Sequence, residues 1–206
     1  KKLEKLFIEK SSVKGKWNAK GWCLNKSLLI LGQGPSLEKK ENINKIKDFI
    51  LKTKCIVLSI NINNLIPTYL IDFYIASNET RISVDSAKYN NLSKKIIVPE
   101  LKLKKIKRDY KKINYLDYGV TLKNNLFKHY TNYAVLPHNL TFGYAMAVAL
   151  EGQSKNITIA GFDGYKKNQL QQIEMQKTIN LILQNNKSLN LKSLTLTKYM
   201  LNRRQA

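Results

Sequence analysis

The sequence predicts an α/β domain built on a mostly parallel sheet flanked by helices, and three observations lead there. Aliphatic runs at Leu28–Leu31, Cys55–Ile60 and Asn156–Gly161 are too short for helices and read as strands buried on both faces. Between the first two lies Leu37 to Leu51, which places Ile43, Ile46, Phe49 and Ile50 on one helical face and supplies the crossover that parallel strands require. The first two runs and a third strand candidate at Ile71–Ala76 also end in small polar residues, Gly32-Gln33-Gly34-Pro35-Ser36, Asn61-Ile62-Asn63-Asn64 and Ser77-Asn78. Open α/β sheets bind ligands beyond the carboxyl ends of their strands, so these endings predict a polar ligand lying across one rim.

The elements follow in order. Residues 1–27 are lysine-rich and read as an N-terminal extension or linker, with Leu3, Leu6, Phe7 and Ile8 at helical spacing ahead of Gly15 and Gly21. The chain starts on Lys1 without Met, as an excised piece of a longer protein would. The domain proper is expected over 28–206, with further strands at Ile71–Ala76 and Lys95–Pro99. About residues 100–135 the sequence has no clean period and carries Tyr110, Tyr115 and Tyr118, which predicts a small lid-like insertion facing substrate. A short strand at Tyr133–Leu136 leads through Pro137-His138-Asn139 into Thr141–Leu150, apolar nearly all round and therefore a helix buried against the sheet. Thr141 is placed to cap it. A helix over 168–185 and a closing strand at Leu194–Thr197 precede a basic tail.

Composition narrows the function. A chain of 206 residues suits one α/β domain. Its formal net charge of +22 points to anionic partners such as nucleotide sugars or an anionic membrane face. Arginine is scarce, at Arg81, Arg108, Arg203 and Arg204, and no aromatic-interleaved arginine stripe appears, which argues against nucleic acid. Cys23 and Cys55 stand far apart with no disulfide framework, a reducing-compartment pattern. No apolar run reaches the roughly 18 residues a spanning helix needs, and no secretory signal is present, so the expected location is cytoplasmic. No cluster of His, Cys and carboxylates has ligand spacing, and no metal site is expected.

The candidate site residues follow from their chemistry. Gly32 and Gly34 let the backbone pass close to a bound group, Pro35 fits a first helical turn, and Ser36 sets a hydroxyl beside free amides. This loop suits a phosphate, and equally a plain strand-to-helix turn. Asn61, Asn63 and Asn78 carry amides that both donate and accept, as a nucleobase edge or ribose requires, although Asx turns use them too. Of two histidines, His138 lies on a loop where general bases are displayed, and His129 is the second candidate. Asp163 leaves a buried strand between glycines, where it can meet a ribose, an acceptor hydroxyl, a divalent ion or local backbone N–H groups.

Two blocks, Leu-Gly-Gln-Gly-Pro-Ser-Leu and Asn-Leu-Thr-Phe-Gly-Tyr-Ala-Met-Ala-Val-Ala-Leu running on to Ile-Ala-Gly-Phe-Asp-Gly-Tyr, together resemble bacterial sialyltransferases of the Campylobacter type. The layout is also similar to the wider group of motility-associated flagellin glycosyltransferases and an archaeal 6-hydroxymethylpterin pyrophosphokinase. Gly-Phe-Asp-Gly-Tyr with Ser-Leu-Thr-Leu-Thr-Lys-Tyr is similar to domains that follow an HMG-CoA-lyase-like aldolase in surface-polysaccharide proteins. The resemblance implies a Rossmann-like, nucleotide-sugar-binding domain that moves an ulosonic, sialic-acid-like sugar from a CMP donor to a bacterial surface glycan, with no further cofactor.

The donor would then be held by Gly32, Gln33, Gly34, Pro35 and Ser36 at its phosphate or ribose, and by Asn61, Asn63 and Asn78 at its cytidine or ribose. Thr141 and Asp163 would complete that site. His138 or His129 would be the base, and Tyr115 or Tyr118 would steady the leaving phosphate. Two departures stand out: Gln33 replaces the family's usual asparagine, and both histidines are offset from the family's base. Implied partners are the nucleotide sugar, the glycan acceptor, a fused aldolase, a contact with the inner membrane face and a second copy of the chain. Two alternatives stay open, a Mg²⁺-dependent pyrophosphokinase-like enzyme using Asp163 and a non-catalytic nucleotide-binding domain attached to an aldolase.

Overall fold

The computed structural model describes residues 14–106, 109–166 and 169–201. The helix expected over Leu3–Ile8, together with Arg108, Arg203, Arg204 and the basic tail, lies outside them. In chain order come β1 (Ser27–Leu31), α1 (Lys40–Thr53), β2 (Ile56–Ile60), β3 (Phe73–Ile75), α2 (Glu79–Tyr89), β4 (Lys95–Val98), α3 (Glu100–Ile106) and β5 (Tyr115–Asp117). Then follow β6 (Gly119–Leu122), β7 (Lys128–Tyr130), β8 (Tyr133–Leu136), α4 (Thr141–Glu151), β9 (Asn156–Ala160), α5 (Leu170–Asn185) and β10 (Leu191–Ser193). Among the described residues seven strands make one sheet, ordered β10-β9-β1-β2-β3-β4-β5, with each neighbouring pair parallel. The fold is α/β and Rossmann-like, as the aliphatic runs predicted.

Alternation along β1 explains the two layers. Leu28 and Ile30 point into one core with Tyr144, Ala145 and Val148 of α4 and Ile179 and Ile182 of α5. Leu29 and Leu31 point into the other, with Ile46 of α1, Ile82 of α2 and Leu103 of α3. Each such fully buried aliphatic contributes about 1.5–3 kcal/mol. From β1 the chain steps outward through β2, β3, β4 and β5 with α1–α3 on one face, then returns to the other side of β1 with α4 and α5 on the opposite face. Right-handed crossovers require that swap of faces when the direction of travel reverses.

The stretch near residues 100–135 supplies α3, the edge strand β5 and part of a small sheet in which β8 pairs parallel with β6 and antiparallel with β7. Its Val120, Phe127 and Ala134 join the α4 core. Residues 14–26 do not run free as a linker. The N–H groups of Gly15, Trp17 and Ala19 donate to the carbonyls of Asn132, Asp117 and Thr131 at 2.9, 2.9 and 2.6 Å, and Trp17 and Trp22 pack against the same core.

Two elements differ from expectation. The closing strand is Leu191–Ser193 rather than Leu194–Thr197, because the following threonines hold the exit of β9. Thr195 Oγ1 accepts the Gly161 N–H at 2.9 Å and Thr197 Oγ1 donates to the Phe162 carbonyl at 2.6 Å. Helix α2 had no aliphatic stripe to announce it. It starts on Asn78, whose side chain accepts the Arg81 N–H at 3.2 Å, and it buries only Ile82, Asp85 and Tyr89. No helix of the described residues is long and apolar enough to cross a membrane.

A buried carboxylate pair ties the N-terminal segment to the sheet. Asp117 accepts the N–H groups of Lys16 and Glu100 at 3.0 and 2.8 Å, while Glu100 pairs with Lys16 at 2.8 Å and Lys104 at 3.3 Å. Burial pushes the Glu100 pKa up, but Lys16, Tyr115 and Lys104 outweigh it and hold the carboxyl at about 2. A depressed carboxyl stabilises the fold above its ordinary range and loses that contribution as pH falls toward its folded pKa. Glu100→Gln should therefore lower unfolding free energy at pH 7 by on the order of 1–3 kcal/mol. Urea titrations across the acid range should show that gap closing as pH drops from the ordinary carboxyl range toward about 2.

Candidate functional site

The site grows out of the place where the sheet reverses. β1 and β9 are neighbours, yet the chain leaves β1 toward β2 and leaves β9 toward β10, so their exits diverge and open a crevice. The two exits are first stitched together. The Gly32 N–H donates to the Ala160 carbonyl and the Gly34 N–H to the Gly161 carbonyl, both at 2.8 Å. Asp163 then accepts the Ser36 N–H at 2.6 Å through Oδ2 and the Ser36 hydroxyl at 2.5 Å through Oδ1.

This contact assigns the glycines differently from the sequence expectation. A Cβ on Gly32 would lie 2.4 Å from the Gly161 carbonyl oxygen, and one on Gly34 would lie 2.7 Å from the Asp163 carboxyl. The close approach they permit is between two loops of the chain. Gly161, at φ +73°, makes the left-handed turn that brings the second loop in, a conformation few other residues adopt without cost.

Above the stitched loops lies a cavity of about 510 Å³. Eight of the residues singled out from sequence border it: Gly32, Gln33, Gly34, Pro35, Asn61, Asn78, Thr141 and Asp163. Gln33 reaches from the β1 loop to donate to the Ile62 carbonyl at 2.7 Å, which fixes the loop against β2. Asn61 is the most telling member. Its backbone is left-handed, at φ +56°, the residue is 6% exposed, and its side-chain oxygen is sealed from solvent without a hydrogen-bond partner. Such an acceptor costs about 1–3 kcal/mol until a donor arrives. The first amides of α4 face a similar need, since no side chain caps that end. Thr141 at its start receives the Ser77 hydroxyl at 3.3 Å.

The other predicted residues stand elsewhere. Ser36 is behind the cavity, engaged with Asp163. Asn63 is 2% exposed and spends its amide on the fold, donating to the Gly32 carbonyl at 2.9 Å and accepting the Leu65 N–H at 2.8 Å. Its assignment to the ligand is corrected to a brace for the β1 loop. His129 pairs with Glu151 at 2.8 Å, at the far end of α4 from Thr141 and so roughly 15 Å from the cavity. Tyr118 is fully buried, donating its hydroxyl to the Tyr130 carbonyl at 2.8 Å and accepting from the Tyr144 hydroxyl at its own carbonyl. Tyr115 lies against Glu100 at the sheet edge. None of these reaches the cavity. His138 sits beside it without lining it, with Nδ1 3.6 Å from Glu174 Oε1, although Asn139 and Met175, the residues next to these two, do line it. Among the described residues from 82 to 138, including the expected lid, none borders the cavity.

Sequence reasoning missed Arg81, Asn139, Phe162, Tyr165, Gln171, Met175 and Tyr199 as wall residues. Phe162 and Tyr165 flank Asp163 in a motif already singled out, and Asn139 follows His138, so proximity was a usable signal for those three. Gln171 is an exposed polar residue of α5 and Met175 reads as part of its buried face, so neither offered one. The comparisons with protein-family models, curated proteins and solved structures found no match to this chain.

Substituting Gly32 with Ala sets a methyl group against two backbone atoms of Gly161, at 2.4 and 3.0 Å, neither of which can yield. Urea unfolding of Gly32→Ala should show a loss of about 1–3 kcal/mol. Asp163→Ala removes the acceptor for the Ser36 N–H and should cost a comparable amount, on the order of 1–3 kcal/mol, read as a lower melting temperature.

Proposed function

We propose that the cavity binds a CMP-activated ulosonic sugar and that the domain transfers the sugar to a glycan hydroxyl. The observation that carries the reading is Asn61: it borders the cavity at the sheet's reversal, its buried side-chain oxygen has no donor in the fold, and a turn of the side chain toward the cavity would offer that oxygen to a cytosine amino group or a ribose hydroxyl. The open amides of α4 suit the donor phosphate. The strands from β9 to β3 span three spacings, roughly 14 Å, enough for a nucleotide with its sugar.

In the transfer, the acceptor oxygen forms a bond to the anomeric carbon while the bond from that carbon to the phosphate oxygen breaks, and CMP leaves with the electron pair. His138 takes the acceptor's proton, and the Glu174 carboxylate 3.6 Å from Nδ1 stabilises the imidazolium that results. Asp163 is committed with both oxygens to Ser36, which leaves the Mg²⁺-dependent reading less well supplied. One observation favours a binding-only domain instead, the position of His138 just outside the cavity wall.

Calorimetric titration with CMP tests the donor assignment: saturable binding is expected, weakened about tenfold in Asn61→Gly, which keeps the left-handed backbone at ease. His138→Ala should keep the CMP affinity and lower transfer to a glycan acceptor by about 10²–10⁴. Unchanged turnover in that variant removes the base, and no CMP binding removes the donor.

A further inference from the structure

One cation borders the β3 end of the cavity and a second stands behind its wall, and neither has an acidic partner within ion-pair distance among the described residues. Arg81, in the first turn of α2, borders the cavity beside Asn78 and is exposed. Its backbone N–H is held by the Asn78 side chain at 3.2 Å, so the start of the side chain is fixed while the guanidinium is unclaimed. Glu79, the carboxylate in the same turn, pairs with Lys105 at 3.5 Å. Lys102 approaches from below. It is half-buried, and its ammonium donates to the Ser77 carbonyl at 2.5 Å. The Ser77 hydroxyl donates in turn to Thr141 on the cavity wall. Burial pushes the Lys102 pKa down, with Glu79 opposing that and Lys105 adding to it.

A half-buried ammonium whose acceptor among the described residues is a neutral carbonyl is costly unless an anion comes near. A guanidinium without a partner matches carboxylate or phosphate oxygens with paired N–H bonds. Asn61, on the cavity wall between this end and the β1 loop, carries a buried side-chain oxygen that finds no donor within the fold.

We propose that Arg81 and Lys102 make the β3 end of the cavity a subsite for an oxyanion, with Arg81 in contact and Lys102 positioning the Ser77 and Thr141 wall beneath it. This deepens the ligand reading given above and rests on it. The anion is either the phosphate of a nucleotide or the carboxylate of an ulosonic acid, and both present the same chemistry to a guanidinium.

Calorimetric titration of the wild-type chain and of Arg81→Gln with cytidine, CMP and free N-acetylneuraminate separates the two sources. If phosphate occupies the subsite, Arg81→Gln loses about tenfold in CMP affinity and keeps its cytidine affinity. If the carboxylate does, the variant keeps CMP and loses about tenfold for N-acetylneuraminate. Lys102→Met should weaken the same anion by about threefold, and Lys102→Arg should restore it, which a purely packing role for the stem would not produce. Wild-type affinities for all anions retained in Arg81→Gln overturn the subsite. A wild-type chain that binds neither cytidine nor CMP removes the cytidine donor instead. The subsite then stands if N-acetylneuraminate binds and Arg81→Gln abolishes it, and falls otherwise.

Discussion

The structure depends on the carboxylate of Asp163 reaching across 127 positions of sequence to hold Ser36 by its N–H and its hydroxyl. That contact closes the seam between the β1 and β9 exits, and the glycine pair at 32 and 34 exists to let the seam close. The rest of the rim takes its position from it. Asn63 braces the β1 loop from the β2 side through the Gly32 carbonyl, and Thr195 braces the β9 loop through the Gly161 N–H. A loop built to wrap a ligand would leave its amides open, whereas here those of Gly32, Gly34 and Ser36 are all spent within the fold, and the open polar groups lie one layer higher.

Those open groups give the cavity its character. Asn61 offers an acceptor, α4 offers uncapped amides, and the β3 end offers a guanidinium, so complementarity runs to a ligand with both donors and negative charge. Another part of the wall is different in kind. Phe142 and Phe162 meet edge to face at 5.2 Å, with Met175 and Tyr199 also bordering the cavity. A wall of that composition favours a flat or apolar portion of the ligand. Charge is not spread evenly around the rim, although the chain as a whole carries a large positive excess.

Much of the fold was legible because its signals are local. Four-residue aliphatic runs, the Ile43, Ile46, Phe49 and Ile50 stripe and the apolar Thr141–Leu150 segment each encode their element within a short window. Helix α2 was not legible, since its burial rests on Ile82, Tyr89 and a buried Asp85 rather than on an aliphatic face. The closing strand was displaced by threonines whose β-branched shape suits a strand but whose hydroxyls serve the β9 exit. At the site, residue type predicted which strand ends face the rim but could not assign their partners. Asn61 and Asn63 are two positions apart and chemically identical, yet one is spent on the fold and the other is left open. His129 and His138 likewise looked equivalent, and only tertiary placement sets one at the far end of α4.

The neighbours of β1 come from opposite ends of the chain, β2 soon after it and β9 more than a hundred residues later. A ribosome therefore exposes the first half of the sheet with one flank of its central strand unpaired, a row of N–H and C=O groups with nothing alongside. That flank stays open until Asn156–Ala160 emerges to pair with it, so during synthesis it needs shielding. The cavity, whose wall includes Gly161, Asp163 and Tyr199, is thus assembled only after β9 and the residues that follow it have left the ribosome.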